Sequence, residues 1–396
     1  MTTAAGVPFW LDEPYEPRPP LEGRVEVDAC VIGAGVAGLS CALALARRGV
    51  ETVVLERGSA AGGASGRNGG FLIAGSAAFY PDARERHGHD QARRIYAATL
   101  ETQEEMFALA AELGAGDSMR RVGLLRASAS EEEAEHVGRH AEALREDGFP
   151  GVLLEREELP PVVARYALNG CLTEHDGVLH PARWIRTLAR GAEAAGARIH
   201  EGTDVEGPVP APGEGLLRTS GGSVAARHVF VASDGALPAL VPEFAPRVWA
   251  RRLHMTATAP LSERVTERPV YSRWGYEYFQ QRPDGRLLIG GFSDLDGEDS
   301  YTDSESGSAR IWERIARLIH EDLGLEAEIT HRWAGVVGYS VDDLPYVGEV
   351  QGRPGLHVAG GYSGHGNVPG FLAGKLVADA IAGVARDEPP LFPADR

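Results

Sequence analysis

The chain of 396 residues has little lysine, few cysteines and no long apolar run. Lys375 is its only lysine, so any mechanism that needs a second lysine is excluded. Its three cysteines are widely spaced and lack nearby cysteine or histidine partners, which predicts buried thiols and indicates neither a disulfide framework nor a metal site. No secretory signal is visible, and no apolar run could span a bilayer. These absences predict a cytoplasmic protein.

Acidic residues outnumber basic ones, since 57 Asp and Glu oppose 39 Lys and Arg for a net charge of −18 at pH 7. A negative field of this size repels nucleic acid and anionic membranes, and it attracts small cations such as amines. The 50 glycines and 25 prolines indicate a globular protein with many tight turns. The length predicts two or three structural units.

Hydrophobic patterning indicates an α/β body behind an extended leader. Residues 1–23 contain five prolines and predict a leader that lies on the folded body. A βαβ unit follows, with a strand at 25–32, a helix at 36–48 and a strand at 51–56. Farther along, the patterns predict helices at 91–113, 131–145, 182–196 and 309–323, and a hairpin at 271–291.

The first βα turn has the glycine spacing of a dinucleotide-binding motif. Gly33 permits a tight turn, Gly35 lets backbone amides approach a diphosphate, and Gly38 lets the helix pack closely on the strand. Glu56 ends the second strand, where its carboxylate can accept hydrogen bonds from ribose and repels a 2′-phosphate, so NADP is disfavoured. FAD and NAD both remain open here. The predicted cofactor contacts are Gly33, Ala34, Gly35, Val36, Ala37, Gly38, Glu56 and Arg57.

A second glycine-rich passage follows Glu56 within a dozen positions, where NAD enzymes usually continue into an ordinary helix. It contains GASGRNGGFL at 63–72, and the C-terminal third contains WAGVVGYSVDDLPYVG at 333–348 and VAGGYSGHGNVPGFLAGKLVADAI at 358–381. In this combination the chain resembles the D-amino-acid-oxidase superfamily of FAD enzymes. It is most similar to the γ-glutamylputrescine-oxidase-like branch, then to glycine- and sarcosine-oxidase-like proteins, from Phe9 onward.

The resemblance implies a Rossmann-like FAD-binding domain, with a central parallel sheet, helices and a β-meander, plus an α+β substrate domain with a large antiparallel sheet. It assigns 24–80, 165–240 and 330–390 to the first domain, and 81–164 and 241–329 to the second. The implied reaction is oxidation of a C–N bond in a small amine or amino acid by hydride transfer to flavin N5, with oxygen as acceptor and hydrogen peroxide as product. The alternatives are a dehydrogenase that uses a quinone or carrier, and a non-catalytic flavin-binding subunit.

The resemblance also implies cofactor contacts outside the first turn. The loop at 64–71 wraps the ribityl chain and the flavin ring, the turn at 232–235 lies beside the diphosphate, and the turn at 361–366 meets the pyrimidine end of the ring. The implied residues are Ala64, Ser65, Arg67, Asn68, Gly69, Gly70, Phe71, Val205 near adenine, Ala232, Ser233, Gly235, Trp333, Gly361, Tyr362, Gly364, His365 and Gly366.

Several positions depart from sarcosine oxidases. Val337 stands where those enzymes carry the flavin-linking cysteine, so FAD is expected to be noncovalent. Leu288 stands where they carry the oxygen-activating lysine. Either oxygen reacts by another electrostatic route, such as His365, or the natural electron acceptor is not oxygen. Ile73 and Val368 replace their carboxylate anchors, which disfavours a small sarcosine-like amino acid and favours a larger amine.

The hairpin and nearby arginines supply the remaining candidates. The pocket-lining candidates are Trp274, Tyr276, Tyr278 and Phe279, of which alternate members could instead fill the sheet core. The candidates to hold a carboxylate are Arg251, Arg252 and Arg273, which could equally form ordinary salt bridges. The predicted catalytic set is Arg67, Arg273, Tyr278 and His365. No dedicated base is needed if the amine enters unprotonated, so activity is expected to rise with pH.

Overall fold

The structure is a computed structural model that describes residues 2–3, 6–385 and 388–396. Its strands are β1 (Thr2–Thr3), β2 (Gly23–Ile32), β3 (Thr52–Leu55), β4 (Phe71–Leu72), β5 (Met119–Arg121), β6 (Leu124–Ala127), β7 (Val152–Glu155), β8 (Asn169–Thr173), β9 (Gly177–Leu179), β10 (Arg198–His200), β11 (Leu217–Arg218), β12 (Gly222–Val231), β13 (Val248–Thr258), β14 (Val270–Ser272), β15 (Glu277–Gln281), β16 (Leu287–Gly291), β17 (Gly307–Ser308), β18 (Ile329–Ser340), β19 (Tyr346–Glu349) and β20 (Leu356–Gly360). Its α-helices are α1 (Val36–Arg47), α2 (Ala64–Arg67), α3 (Tyr80–His87), α4 (His89–Glu112), α5 (Glu131–Glu146), α6 (Pro161–Ala164), α7 (Pro181–Ala194), α8 (Leu237–Leu240), α9 (Ala309–Arg317) and α10 (Asn367–Ile381).

A seven-stranded sheet contains the predicted βαβ unit, which is confirmed as β2, α1 and β3. The strand order is β10-β3-β2-β12-β20-β19, with β11 beside β12. The first five strands of this order run parallel to one another, whereas β19 and β11 are antiparallel to their neighbours. Val31 faces a core shared with α1, α7 and α10, while Cys30 and Ile32 face a second core. Because both faces are buried, β2 is a continuous apolar run at its C-terminal end.

The second large sheet has eight strands in the order β18-β13-β16-β15-β14-β6-β8-β7. Neighbouring strands are antiparallel except for β14 and β6, which are parallel. Phe279 and Ile289 on one face pack against Ile311 and Ile315 of α9. Tyr278 on the other face belongs to the core that includes α1 and α10. The sheet therefore turns one face toward the βαβ unit.

The predicted hairpin is confirmed in part. Strands β15 and β16 pair as expected around the turn at 283–285. Tyr271 and Ser272, however, belong to the separate strand β14, because Arg273, Trp274 and Gly275 adopt positive φ angles of 49°, 59° and 86° and interrupt the strand. The helices predicted at 91–113 and 131–145 correspond to α4 and α5.

The two large sheets suggest where a division into two domains would fall. The seven-stranded sheet uses strands from 23–32, 52–55, 198–231 and 346–360. Strands β8 and β18 pair within the eight-stranded sheet, although the sequence-based division places both with the FAD-binding part. We therefore propose the same two domains with these two strands moved to the substrate domain.

The proline-rich leader lies against the body, and it approaches the glycine-rich loop that follows β3. Trp10 is fully buried, and its indole Nε1 donates to the Asn68 carbonyl at 2.7 Å. The Arg18 backbone N–H and the Tyr15 hydroxyl both donate to the buried carboxylate of Glu201. Met1, Ala4 and Ala5 lie outside the described residues. Among the helices that the structure describes, none has both the length and the apolar character needed to cross a membrane.

Candidate active site

The turn between β2 and α1 has the shape that its glycines predict. Gly33 has φ +110°, and a Cβ there would lie 2.6 Å from the carbonyl oxygen of Ala232, which directly follows the neighbouring strand β12. The Glu56 carboxylate accepts the backbone N–H groups of Ala34 and Gly58, each at 2.8 Å. Burial raises the pKa of Glu56, and these two N–H groups oppose that rise. The acid thus lies at the entrance to α1, where a ribose hydroxyl would reach it.

The first turn of α1 offers backbone N–H groups to an anion. The first N–H groups of a helix have no carbonyl partner within the helix, and its dipole favours negative charge there. One of them, the Val36 N–H, donates to the Ser65 hydroxyl at 3.0 Å. The hydroxyl comes from the second glycine-rich loop, so that loop lies directly over the helix start. The two motifs therefore form one cradle that fits a diphosphate.

Two buried indoles hold the second glycine-rich loop in place. Trp333 is fully buried and donates from Nε1 to the Arg67 carbonyl at 2.8 Å, and Trp10 donates to the next carbonyl, that of Asn68. The Gln280 side chain donates to the Gly69 carbonyl at 2.5 Å. Trp333 was predicted near the cofactor, and its hydrogen bond shows how it shapes the loop that would wrap the cofactor.

An asparagine pair joins this loop to the C-terminal glycine turn. The side-chain amides of Asn68 and Asn367 exchange hydrogen bonds at 3.2 Å, and Asn367 also donates to the Phe71 carbonyl at 2.8 Å. Asn367 begins α10, directly after the turn at 361–366. Residues about 300 positions apart therefore meet in one wall.

Asp234 joins the turn after β12 to the same region. Its carboxylate accepts the Gly338 N–H at 2.7 Å and the Gly361 N–H at 3.0 Å. Burial raises its pKa, against the effect of these donors. The hydroxyl of the neighbouring Ser233 is buried without a hydrogen-bond partner among the described residues. The turn at 232–235 is thus fixed to β18 and to the turn at 361–366, and the free Ser233 hydroxyl fits a diphosphate or ribityl oxygen.

A cavity of about 250 Å³ lies between these loops and the eight-stranded sheet. Its floor includes Met255, Tyr278 and Tyr271, which belong to a longer row of direct cross-strand partners on one face of the sheet. The row runs across six strands through Trp333, Met255, Gly290, Tyr278, Tyr271 and Arg126. A Cβ at Gly290 would lie 2.2 Å from the Met255 sulfur and 2.4 Å from the Tyr278 ring, so only glycine fits the centre of the row.

Aromatic rings form the wall next to this row. Tyr271 and Tyr278 stack with centroids 5.4 Å apart, and Phe71 meets Tyr271 edge-on at 5.0 Å. Burial raises the pKa of both tyrosines. The phenols therefore stay protonated at ordinary pH, and the wall is uncharged.

His365 lines the cavity as a neutral imidazole. Neither ring nitrogen has a well-formed hydrogen bond among the described residues. Burial, and then the positive charge of Arg126, lower the pKa of His365 to about 4, against a smaller opposing effect of the Ser363 backbone. The ring can accept or donate a hydrogen bond but carries no charge above about pH 5.

The structure places eleven of the predicted residues in the cavity wall. Those that line it are Ala64, Arg67, Asn68, Gly69, Phe71, Trp274, Tyr276, Tyr278, Gly364, His365 and Gly366. Arg67 lines it with a guanidinium already occupied by the Gly62 carbonyl at 2.7 Å, the Ala334 carbonyl at 3.2 Å and the Glu305 carboxylate at 2.9 Å. Arg67 therefore links the glycine-rich loop to β18.

Other predicted residues lie elsewhere. Phe279 is fully buried on the opposite face of the sheet, because neighbouring residues in a strand point to opposite sides. Arg273 pairs with Asp294 at 2.8 Å, and Arg252 pairs with Asp296 at 2.9 Å. Arg251 is packed among the rings of Tyr276, Tyr301 and Tyr339. These three arginines do not line the cavity, so the structure does not support any of them as its carboxylate anchor.

Sequence reasoning missed three residues that the structure places at the site, namely Arg126, Asp234 and Asn367. Arg126 interrupts an otherwise apolar strand, LLRA, and that pattern was an available signal. Asn367 is one of three asparagines in the chain, and two of them face each other here. Asp234 lies inside the predicted turn at 232–235, but its role was not predicted, because its partners come from distant segments.

Residues 28–380 match the DAO family, described as FAD dependent oxidoreductase. This chain belongs to that family. The match includes both glycine turns and the cavity between them, so FAD is the cofactor of this oxidoreductase and the residues of the cradle fit it.

Curated relatives span nearly the whole oxidoreductase. It is 31% identical to a probable oxidoreductase OrdL of Rhizobium meliloti (strain 1021), over 94% of this chain and 88% of the relative. It is 30% identical to the glycine oxidase of Geobacillus kaustophilus (strain HTA426), over 89% and 92%, and 27% identical to the γ-glutamylputrescine oxidoreductase of Escherichia coli (strain K12), over 94% and 87%. The predicted family is therefore confirmed.

The fold prediction is confirmed as well. The crystal structure of glycine oxidase from Geobacillus kaustophilus superimposes with a TM-score of 0.78 at 25% identity, over 92% of this chain and 96% of that one. The structure of L-proline dehydrogenase from P. horikoshii gives a TM-score of 0.76 at 20% identity and shows the shared fold.

Proposed function

We propose that this oxidoreductase oxidises a C–N bond of a small amine or amino acid to an imine, which water then hydrolyses. The observation that carries the proposal is the aromatic cavity enclosed by the loop at 64–71, the turn at 361–366 and the cross-strand row. Relatives named for glycine and γ-glutamylputrescine oxidation support the same chemistry. The acidic surface, with net charge −18, favours the approach of a cationic amine.

When bound, FAD supplies a hydride acceptor at flavin N5. The protein orients the substrate between the ring walls and keeps water away from the reacting carbon. Asp343 is the only carboxylate among the described lining residues, and it pairs with Arg86 at the exposed rim. His365 is neutral and the phenols of the wall are protonated. The interior therefore has no strong base, and the amine must give up its proton before it binds.

Anaerobic mixing tests the proposal. Holoenzyme is mixed with primary amines, secondary amines, polyamines, glycine derivatives and D-amino acids in the absence of oxygen, and flavin absorbance is followed. Bleaching by at least one amine class is the expected result, with imine-derived carbonyl formed in equal amount. A flavin that no member of the panel reduces would favour the non-catalytic flavin-binding subunit instead.

Oxygen is the proposed electron acceptor, and one observation favours a second candidate. Leu288 is fully buried in the core that includes the cavity wall, and the neutral His365 supplies no positive charge in place of a lysine. The absence of this charge favours, as the second candidate, a dehydrogenase that reduces a quinone or carrier. One hydrogen peroxide per amine oxidised in air is the expected result. Quinone-dependent turnover without peroxide would identify the dehydrogenase.

FAD is proposed to be noncovalent. Val337 lines the cavity at the position where a linking cysteine would stand, and the three cysteines of the chain are buried. Acid precipitation of purified protein is expected to release all of the yellow colour into the supernatant, and absorbance of the two fractions measures it. Colour that stays in the pellet would show a covalent bond and contradict the proposal.

A further inference from the structure

Arg126 is a buried cation without a partner. Only 7% of the residue is exposed, and no hydrogen bond or carboxylate within 4.0 Å of its guanidinium occurs among the described residues. Its guanidinium lies over two aromatic rings, with the guanidinium carbon 4.5 Å from the Phe79 ring centre and 5.9 Å from that of Tyr271. A charge buried this way costs stability unless something neutralises it. An anion is therefore expected beside it.

The position of Arg126 ties it to the active-site cavity. It is the cross-strand partner of Tyr271 and ends the row that runs from Trp333 through Tyr278. It is thus one strand beyond the aromatic wall, on the face of the sheet that the cavity uses. Trp333, at the other end of the row, lies five strand spacings away, about 24 Å.

Arg126 lines a small cavity. Its volume is about 20 Å³, and Ile73 lines both this cavity and the larger one. The Ser76 hydroxyl also lines it and is buried without a hydrogen-bond partner among the described residues. A free hydroxyl donor beside a free guanidinium matches the two oxygens of a carboxylate.

Asp176 lines the same small cavity but is already occupied. One of its oxygens accepts the Ala74 N–H and the Gln103 amide, each at 2.9 Å, and the other accepts the Thr173 hydroxyl at 2.5 Å. Three donors thus hold this carboxylate in place. Asp176 therefore adds a negative charge to the small cavity, but it makes no hydrogen bond to Arg126.

We propose that Arg126, with the Ser76 hydroxyl, binds a carboxylate of the substrate beyond Tyr271. The inference rests on the proposed function and narrows it to amines that carry a carboxylate. Arg126 lines the small cavity and not the main one, so the carboxylate is joined to the oxidised C–N carbon through a spacer of several atoms that passes Ile73. Arg126 thereby takes the part for which sequence reasoning suggested Arg251, Arg252 or Arg273.

The test compares acids with their esters on the holoenzyme. The probes are ω-amino acids from β-alanine to 6-aminohexanoate and their methyl esters, and the readout is the rate of anaerobic flavin reduction. At the best chain length the acid is expected to react about 10- to 100-fold faster than the ester at low concentration, because the ester leaves the guanidinium unpaired. Equal rates for acid and ester at every length would overturn the proposal.

Arg126→Met separates a binding role from a structural one. It is expected to lower the rate with the acid about 10- to 100-fold and the rate with the ester much less, so that the preference for the acid disappears. Its melting temperature is expected to equal or exceed that of the wild type, because an unpaired buried charge is removed. Arg121→Met, which removes an exposed arginine paired with Glu104, is the control and keeps the preference. An equal loss with acid and ester would show that Arg126 serves packing only.

Binding without turnover keeps the two proposals distinguishable. Butyrate and hexanoate, which cannot be oxidised at a C–N bond, are titrated into holoenzyme while the flavin spectrum is recorded. Saturable perturbation that weakens about 10- to 100-fold in Arg126→Met supports the carboxylate site even if no amine reduces the flavin. Amine oxidation with no carboxylate effect would leave the proposed function standing and remove the role of Arg126.

Discussion

Gly33→Ala is expected to weaken FAD binding at least 100-fold. A Cβ at this position would lie 2.6 Å from the Ala232 carbonyl oxygen, and φ is +110°, where residues other than glycine are strained. Gly33 and Ala232 directly follow β2 and β12, which are neighbours in the parallel sheet, so relief requires the turn at Gly33 to move away from the end of β12. That movement opens the cradle between the first turn of α1 and the turn at 232–235. FAD content of the purified protein and titration of the apoprotein measure the loss.

Gly49→Ala is the matched control. Gly49 also has a positive φ, +77°, but no atom outside its immediate chain neighbours lies within 4 Å of the point that a Cβ would occupy. This variant bears only the conformational strain of alanine, about 1 to 2 kcal/mol of folding stability, and is expected to bind FAD normally. Equal FAD affinity in the two variants would show that the close contact between Gly33 and β12 does not shape the cofactor cradle.

The rate of flavin reduction is expected to rise about 100-fold between pH 7 and 9 at low amine concentration. An alkylamine has a pKa near that of lysine, about 10.4, so its neutral fraction grows about tenfold for each pH unit in this range. Burial raises the pKa of the wall tyrosines Tyr271 and Tyr278, so these phenols do not titrate in this range. The pKa of His365 is lowered to about 4, so this ring is neutral throughout, and burial raises the pKa of Tyr339 at the cavity edge to about 12. Stopped-flow absorbance under nitrogen gives the profile.

His365→Asn provides the corresponding check. The substitution removes a neutral hydrogen-bonding ring, so the absolute rate can change while the slope with pH stays the same. An inflection between pH 6 and 8 in the wild type that disappears in His365→Asn would show that the histidine takes the proton, and the account of an unprotonated entering amine would fail.

The sequence predicted the parts of the site that depend on local geometry. The spacing of Gly33, Gly35 and Gly38 between a buried strand and a helix leaves few conformations, and Glu56 follows at the end of the next strand of the same unit. The glycine-rich loop at 64–71 and the turn at 361–366 were predicted through family resemblance, and the structure brings them together through Asn68 and Asn367. Their individual contacts with FAD stay predictions.

The parts that the sequence did not predict depend on pairing between distant strands. Arg126 becomes a neighbour of Tyr271 only because β6 and β14 run side by side, and this parallel pair joins residues about 145 positions apart. Arg273 was predicted to hold a carboxylate, but a turn of positive φ angles directs it to Asp294. Phe279 was grouped with Tyr278, although strand alternation places the two on opposite faces.

A crystal structure of the yellow protein tests the central claim most directly. The account predicts electron density for one FAD molecule, with its diphosphate over the first turn of α1, its ribose hydroxyls at Glu56 and its ring in the cavity beside Tyr278. Density for a nicotinamide dinucleotide in the cradle, or a flavin ring bound outside this cavity, would contradict it.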